Sequence, residues 1–215
     1  MKHLTSEDII ALEPRFRARF INSLSGFKSA NLVGTQDAKG ITNLSMISSA
    51  FHIGADPALM GMIIRPDGVP RDTLDNIKQT GVYTINQVSA QIYKQAHQTS
   101  ARYDVGVSEF EQVGLTAEYI NDVAAPFVAQ SRLKFSLQVR EIIPLAINNT
   151  ILVIGEISHV LFVEQALKAD GYLDIESLET VAVSGLDGYH TTKRLSRLSY
   201  AKPDQDLSQL SVDGD

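Results

Sequence analysis

The sequence contains no cysteine, which removes disulfides, thiolate catalysis and cysteine-ligated zinc or iron–sulfur clusters from consideration. Histidine is scarce, and His3, His52, His97, His159 and His190 include no H-x-x-x-H pair, so a metal site would need ligands gathered by the fold alone. No apolar run approaches the ~18 residues of a membrane span, and the opening MKHLTSEDIIALEP lacks the uninterrupted apolar segment of a secretory signal. A cytoplasmic protein without a membrane partner is the expectation. The G-x-S-x-G elbow, the Walker-A loop and the G-x-G-x-x-G fingerprint are all missing. Positive charge is in deficit, and a net charge of −6 argues against a general nucleic-acid role.

What is present is a chain of 215 residues, 44% hydrophobic and 20% charged, enough for one globular domain over residues 1–202 with a substantial core. Disordered and collagen-like classes are excluded. From residue 203 the composition turns polar and acidic, with four aspartates in the last twelve residues, so 203–215 is expected to be a flexible tail.

Residues 5–25 predict a helix opening at Ser6-Glu7-Asp8, broken or restarted at Pro14, with Ile9, Leu12, Phe16, Phe20 and Leu24 near helical spacing. Arg15, Arg17 and Arg19 fringe that stripe as a solvated face. From residue 29 the period changes to two. Residues 30–36, a single long stretch 41–53, and 58–64 read as three strands of an antiparallel meander, with turns at 37–40 and 54–57. A helix from about residue 73, a strand at 82–86, a helix at 89–98 and a short turn capped by Ser108 follow. Strands at 115–120, 133–143 and 151–163 complete the pattern, the last two joined by a turn at Asn148-Asn149. The expected class is mainly β: an antiparallel barrel of six or seven strands with peripheral helices.

Residues 39–77 hold the densest chemistry. Thr42, Asn43, Ser45, Ser48 and Ser49 stand among Leu44, Met46, Ile47, Ala50 and Phe51, so side chains stay small where backbone N–H groups can approach a flat ligand. Arg65-Pro66 opens a loop that closes on Arg71-Asp72-Thr73, where Asp72 or Thr73 caps the next helix. A helix start flanked by two guanidiniums suits a phosphate monoester; the same residues also suit an ordinary hairpin and capped helix. Near the end, Gly185 and Gly188 beside Tyr189 and His190 allow backbone to approach a ring while the aromatic packs on it. Lys193, Arg194 and Arg197 offer an alternative source of charge for a phosphate, or a solvated basic turn.

The order Asn43-x-Ser45-x-x-Ser48-Ser49-x-Phe51, then Asp56-Pro57, Arg65-Pro66 and Arg71-Asp72-Thr73-Leu74-x-Asn76-Ile77 resembles the flavin reductase-like family of FMN-binding split barrels. The likeness continues through 82–86 to Gly185-x-x-Gly188-Tyr189, covering roughly residues 25–200. Many members carry Ala-Pro where this chain has Ser45-Met46, a departure at the flavin edge. The resemblance implies an FMN-dependent oxidoreductase that passes hydride from NADH or NADPH through FMN to a flavin or another small acceptor, with a homodimer as the usual assembly. The missing dinucleotide fingerprint argues against a separate Rossmann domain and leaves open a nicotinamide that docks directly over the flavin. Cofactor contacts are expected at Asn43, Ser45, Met46, Ile47, Ser48 and Ser49 for the ring edge, and at Arg65, Arg71, Thr73 and Asn76 around the phosphate. Ser100, Tyr189, His190 and Arg194 complete the set. FMN carries the redox reaction itself, so no catalytic side chain and no metal is expected. Two other readings remain open at this point: a non-catalytic FMN protein acting as sensor or carrier, and a barrel binding an apolar ligand without flavin.

Overall fold

The computed structural model describes residues 1–65, 72–104 and 106–214. Two helices lead: α1 (Ser6–Ala11) and α2 (Pro14–Leu24). The cap of α1 is Thr5, one residue before Ser6, because its hydroxyl accepts from Asp8 N–H while its own N–H donates to the Asp8 carboxylate. Strands β1 (Lys28–Ser29), β2 (Asn31–Gln36), β3 (Thr42–Ile47), β4 (Ala50–Ala55) and β5 (Ala58–Ile64) precede α3 (Asp72–Thr80) and β6 (Val82–Gln87). Then come α4 (Tyr93–Gln98), α5 (Glu109–Val113), β7 (Ala117–Glu118), β8 (Phe127–Val128), β9 (Leu133–Leu145) and β10 (Thr150–Phe162). The chain ends through β11 (Val181–Ser184), β12 (Gly188–Thr191), β13 (Arg197–Leu198) and β14 (Gln209–Leu210).

Seven strands form one antiparallel sheet in the order β3-β2-β6-β9-β10-β5-β4. The single strand expected over 41–53 is in fact two, and the meander is not one. Strand β3 pairs with β2, whereas β4 pairs with β5, at the opposite end of the sheet. Only the Ser48-Ser49 bend joins them, so this corner closes the barrel where hydrogen bonding does not. Ser49 Oγ fixes the corner by donating to the Ile63 carbonyl of β5 at 2.8 Å.

Strand β2 is buried on both faces, and its period of two sends Leu32 and Val33 into different cores. Val33, Met62, Ile64, Leu74, Ile77, Tyr83, Ile85, Phe135, Leu137 and Val153 form the barrel interior. Leu32, Leu44, Val88, Phe110, Val128, Val181 and Val183 belong to a second cluster outside it, under α4, α5 and the β11–β12 hairpin. Two expected elements are shorter than their patterns. The helix at 89–98 begins only at Tyr93, since Ser89 bridges to Thr180 instead, and the strand at 115–120 keeps only Ala117–Glu118, the part that pairs with β8.

The polar end makes several contacts with the rest of the chain. Strand β14 pairs with β13, Arg197 forms an ion pair with Asp170 and donates to the Val212 carbonyl at 2.9 Å, and Asp213 lies 3.1 Å from the Lys168 ammonium. Composition shows how little apolar area this end buries, but not that Asp213 meets Lys168 and that its backbone meets residues 197–199. No helix among the described residues is long and apolar enough to cross a membrane.

Candidate functional site

A half-open cavity of about 500 Å³ lies where the barrel corner meets α3, α5 and the turn after α4. Its wall takes Val33 from β2, Asn43 and Ser45 to Ser49 from β3 and the corner, Met62 to Ile64 from β5 with Arg65 just after it, and Asp72 and Thr73 from α3. His97, Thr99 to Tyr103, Glu109, Val183, Leu186 and Tyr189 complete it. The fold thus brings together Asn43, Ser45, Met46, Ile47, Ser48, Ser49, Arg65, Thr73, Ser100 and Tyr189, which are far apart in sequence. Arg71 lies outside the described residues.

Three expected residues do not reach the cavity wall. Asn76 is buried beneath it, donating to Thr35 Oγ1 at 3.1 Å. Asn43 donates to the same Thr35 oxygen at 3.1 Å and to Thr73 Oγ1 at 2.8 Å, so Asn76 supports the wall through Thr35. His190 follows Tyr189 on β12, and successive strand residues face opposite ways. Its Nε2 meets Ser184 Oγ at 2.8 Å and its ring stands edge-on to Phe27 at 4.9 Å. Arg194 is held by Asp174 and by Glu176 at 3.4 Å, with its guanidinium 5.4 Å from the Tyr172 ring. Two acids already occupy the charge that was a candidate for phosphate.

The polar groups of the wall have capacity to spare. Thr73 Oγ1 accepts from Asn43 and keeps its own proton to donate. The hydroxyls of Ser45, Ser48 and Ser100 and the guanidinium of Arg102 have no hydrogen-bond or ion-pair partner among the described residues. Arg65 donates to Asn22 Oδ1 at 2.7 Å, and Lys28 donates to the carbonyls of Asn22 at 3.1 Å and Gly185 at 2.9 Å. Burial, and after it the nearby Arg65 charge, pushes the Lys28 ammonium below its ordinary range. Two cations close together, with carbonyl and amide oxygens as their partners, make this edge favourable to an anion.

Acids and aromatics occupy the other wall. Glu109 Oε2 accepts from the Leu44 N–H at 2.9 Å, and Ser108, expected as a helix cap, instead shares a 2.6 Å hydroxyl contact with Thr42. Burial holds the Glu109 carboxyl above its usual range; the Leu44 N–H opposes that and the Asp72 charge adds to it. Tyr189 Oη lies 3.0 Å from His97 Nδ1, with the rings nearly perpendicular. Glu109 and Arg102 are lining residues that local pattern did not single out. An acid in a first helical turn is ordinary, and only the packing of α5 on β3 turns this one into the cavity. Among the described residues no group of three or more His, Asp or Glu gathers to hold a metal.

A seven-stranded antiparallel barrel, split at one corner and carrying a polar cavity there, defines the class. The chain belongs to the flavin reductase-like family: the model of the flavin reductase like domain matches residues 25–177. A crystal structure from Shewanella frigidimarina, assigned as a flavin reductase with a split barrel domain, is 59% identical, with a TM-score of 0.91 over 94% of this chain and all of that one. Nitrilotriacetate monooxygenase component B from Bacillus cereus superposes with a TM-score of 0.81 at 18% identity, covering 92% of this chain and 98% of its own. At that identity the likeness is one of fold. An uncharacterized protein of Halalkalibacterium halodurans is 28% identical over 156 residues, 70% of this chain and 74% of its own.

Proposed function

We propose that this chain is an FMN-dependent NAD(P)H oxidoreductase of flavin reductase type, delivering hydride to a flavin or another small acceptor and working as a cytoplasmic homodimer. The carrying observation is the convergence on one cavity of about 500 Å³ of the unspent Ser45, Ser48 and Ser100 hydroxyls, the Thr73 helix start and the Arg65 guanidinium, with the Lys28 charge close to Arg65. That volume lies within the ~300–1,000 Å³ typical of cofactor pockets. The groups fit FMN: small hydroxylic residues for the polar edge of a ring, Met46, Ile47 and Met62 for its apolar body, and a cationic edge with a helix start for one phosphate. When bound, FMN supplies the redox chemistry. The chain's part is to orient the ring, hold the phosphate and leave one face open, which requires no side-chain acid or base for hydride transfer.

The dimer rests on a separate observation. Helices α1 and α2 bury no residue against the rest of the chain, and Ile10, Phe16 and Leu24 are 70%, 59% and 62% exposed. Such a face calls for a cover, and a second copy supplies one. The test of the activity is direct. The purified protein is expected to be yellow or to take up added FMN, and to oxidise NADH or NADPH with turnover when FMN, FAD, riboflavin or a ferric chelate is the acceptor. A colourless protein that takes up no FMN sinks the reading; FMN uptake without turnover moves it to a carrier or sensor.

A further inference from the structure

We infer that Glu109 is a ligand-binding residue of this cavity and takes up a proton when an anionic ligand enters, so that affinity for a phosphorylated ligand falls as pH rises. The inference rests on the reading of the cavity as an FMN site.

The geometry is fixed from two sides. Ser108 and Thr42 share their 2.6 Å hydroxyl contact, and Leu44, on the edge strand β3, donates its outward N–H to Glu109 Oε2 at 2.9 Å. One carboxylate oxygen is thereby spent on the fold. The carboxylate's other donor is its own backbone N–H, no side chain among the described residues bonds to it, and the residue lines the cavity. Asp72, at the start of α3, lines the same cavity and acts on Glu109 as a like charge. The other ionisable groups of the lining are Arg65, His97 of α4, Arg102, Tyr103 and Tyr189 of β12.

A phosphate monoester brings a charge of about −1.5 to −2 at neutral pH into a wall that already holds two carboxyls. Burial has already made ionisation of Glu109 costly, so protonating this carboxyl is the least expensive relief. The change is simple: one proton from solvent bonds to a carboxylate oxygen. The protonated group keeps an oxygen for the Leu44 N–H and gains an O–H to donate to the ligand. By linkage, the Glu109 pKa is higher in the complex than in the free protein. Affinity is then full below the free-protein pKa and falls by up to ~tenfold per pH unit between the two values. Riboflavin, without the phosphate, lacks this dependence.

Two measurements on the full chain test this. FMN and riboflavin are titrated by flavin fluorescence from about pH 5 to about pH 8 into apo wild type and Glu109→Gln, which keeps an oxygen acceptor for Leu44. Calorimetry of FMN binding to both proteins, in two buffers of different ionisation enthalpy, counts the protons taken up by each. The phosphate's own second ionisation affects both proteins alike and cancels. We expect the wild-type FMN Kd to rise with pH relative to Glu109→Gln by ~tenfold across the window, riboflavin to run parallel in both, and more protons taken up with FMN by wild type than by Glu109→Gln. Equal pH slopes for FMN in the two proteins, or equal proton uptake by the two, overturn this inference alone. Failure of both flavins to bind at any pH overturns it together with the FMN reading.

Discussion

Strand β2 lies between two cores, and helix α2 lies against none. In β2 the residues 31–35 are all buried, with Leu32 serving the outer cluster and Val33 the barrel interior. In α2, Phe16, Ile21 and Leu24 remain exposed although their helix is amphipathic. The barrel is closed within one chain, whereas the N-terminal helices are held to it by polar contacts such as Arg65 to Asn22 and Lys28 to Asn22. An apolar stripe in sequence thus marks a surface that must be covered, without saying by which chain.

The sharpest way to break the barrel side of this contrast is Gly34→Val. A Cβ at Gly34 would lie 2.2 Å from the Pro126 carbonyl oxygen and 2.6 Å from Thr84 Oγ1, two atoms already bonded to each other at 2.6 Å. Neither can withdraw without losing that buried bond, so we expect a loss of about 3 kcal/mol, read as a fall in the denaturant midpoint. The helix side breaks differently. For the proposed dimer, Phe16→Ser with Leu24→Ser should leave the barrel folded while light scattering shows half the wild-type mass, and the thermal midpoint should cease to depend on protein concentration. Persistence of the dimer mass would remove α2 from the interface.

Arg65 joins the two regions, since it lines the cavity and reaches Asn22 of α2. Arg65→Ala should weaken FMN by about 1.5 to 3 kcal/mol, the range of a charge-assisted hydrogen bond, and leave riboflavin nearly unchanged. Equal weakening of both flavins would mean that Arg65 acts through the placement of α2 rather than on the phosphate.

Strands with a continuous pattern and local turns were legible in the sequence: 31–36, 58–64, 82–87 and the long β9–β10 hairpin all follow alternation and turn residues. The division of 41–53 was not, because β-favouring residues run through Ser48-Ser49 and only pairing with β5, a non-local event, reveals two strands. The same distinction holds at the site. Asn43, the Ser45 to Ser49 run and Thr73 sit in motifs whose small or hydroxylic character was visible. Glu109 and Arg102 enter through the packing of neighbouring elements, whereas His190 and Arg194 were grouped with Tyr189 by nearness in sequence: the two-residue period of β12 turns His190 the other way, and Asp174 and Glu176 hold Arg194.

Glu109 also predicts a stability difference in the apo-protein. Its folded pKa is raised above its unfolded value, so its contribution is fully favourable below the unfolded pKa and is lost as pH rises through the folded one. Glu109→Gln removes that titration and keeps an acceptor for Leu44. The variant should therefore gain on wild type in chemical denaturation as pH rises from the ordinary glutamate range through the raised folded value. A gap that stays constant with pH would show that the carboxyl titrates normally.

The smallest effect is expected at the polar end, which differs from both β2 and α2 in being tied down by charge and backbone pairing with little apolar burial. Deleting residues 204–215 removes β14 and the Lys168–Asp213 pair, whose aspartate side chain is 77% exposed and therefore screened. It leaves in place Arg197 with Asp170, and Tyr172 with the Arg197 and Arg194 guanidiniums 4.1 Å and 5.4 Å from its ring. The loss should stay below about 1 kcal/mol, with flavin content unchanged and the remaining difference shrinking in high salt. A larger, salt-insensitive loss of stability or loss of the dimer would show that this end covers apolar surface, and Leu207, Leu210 and Val212 would be the residues to examine by single substitution.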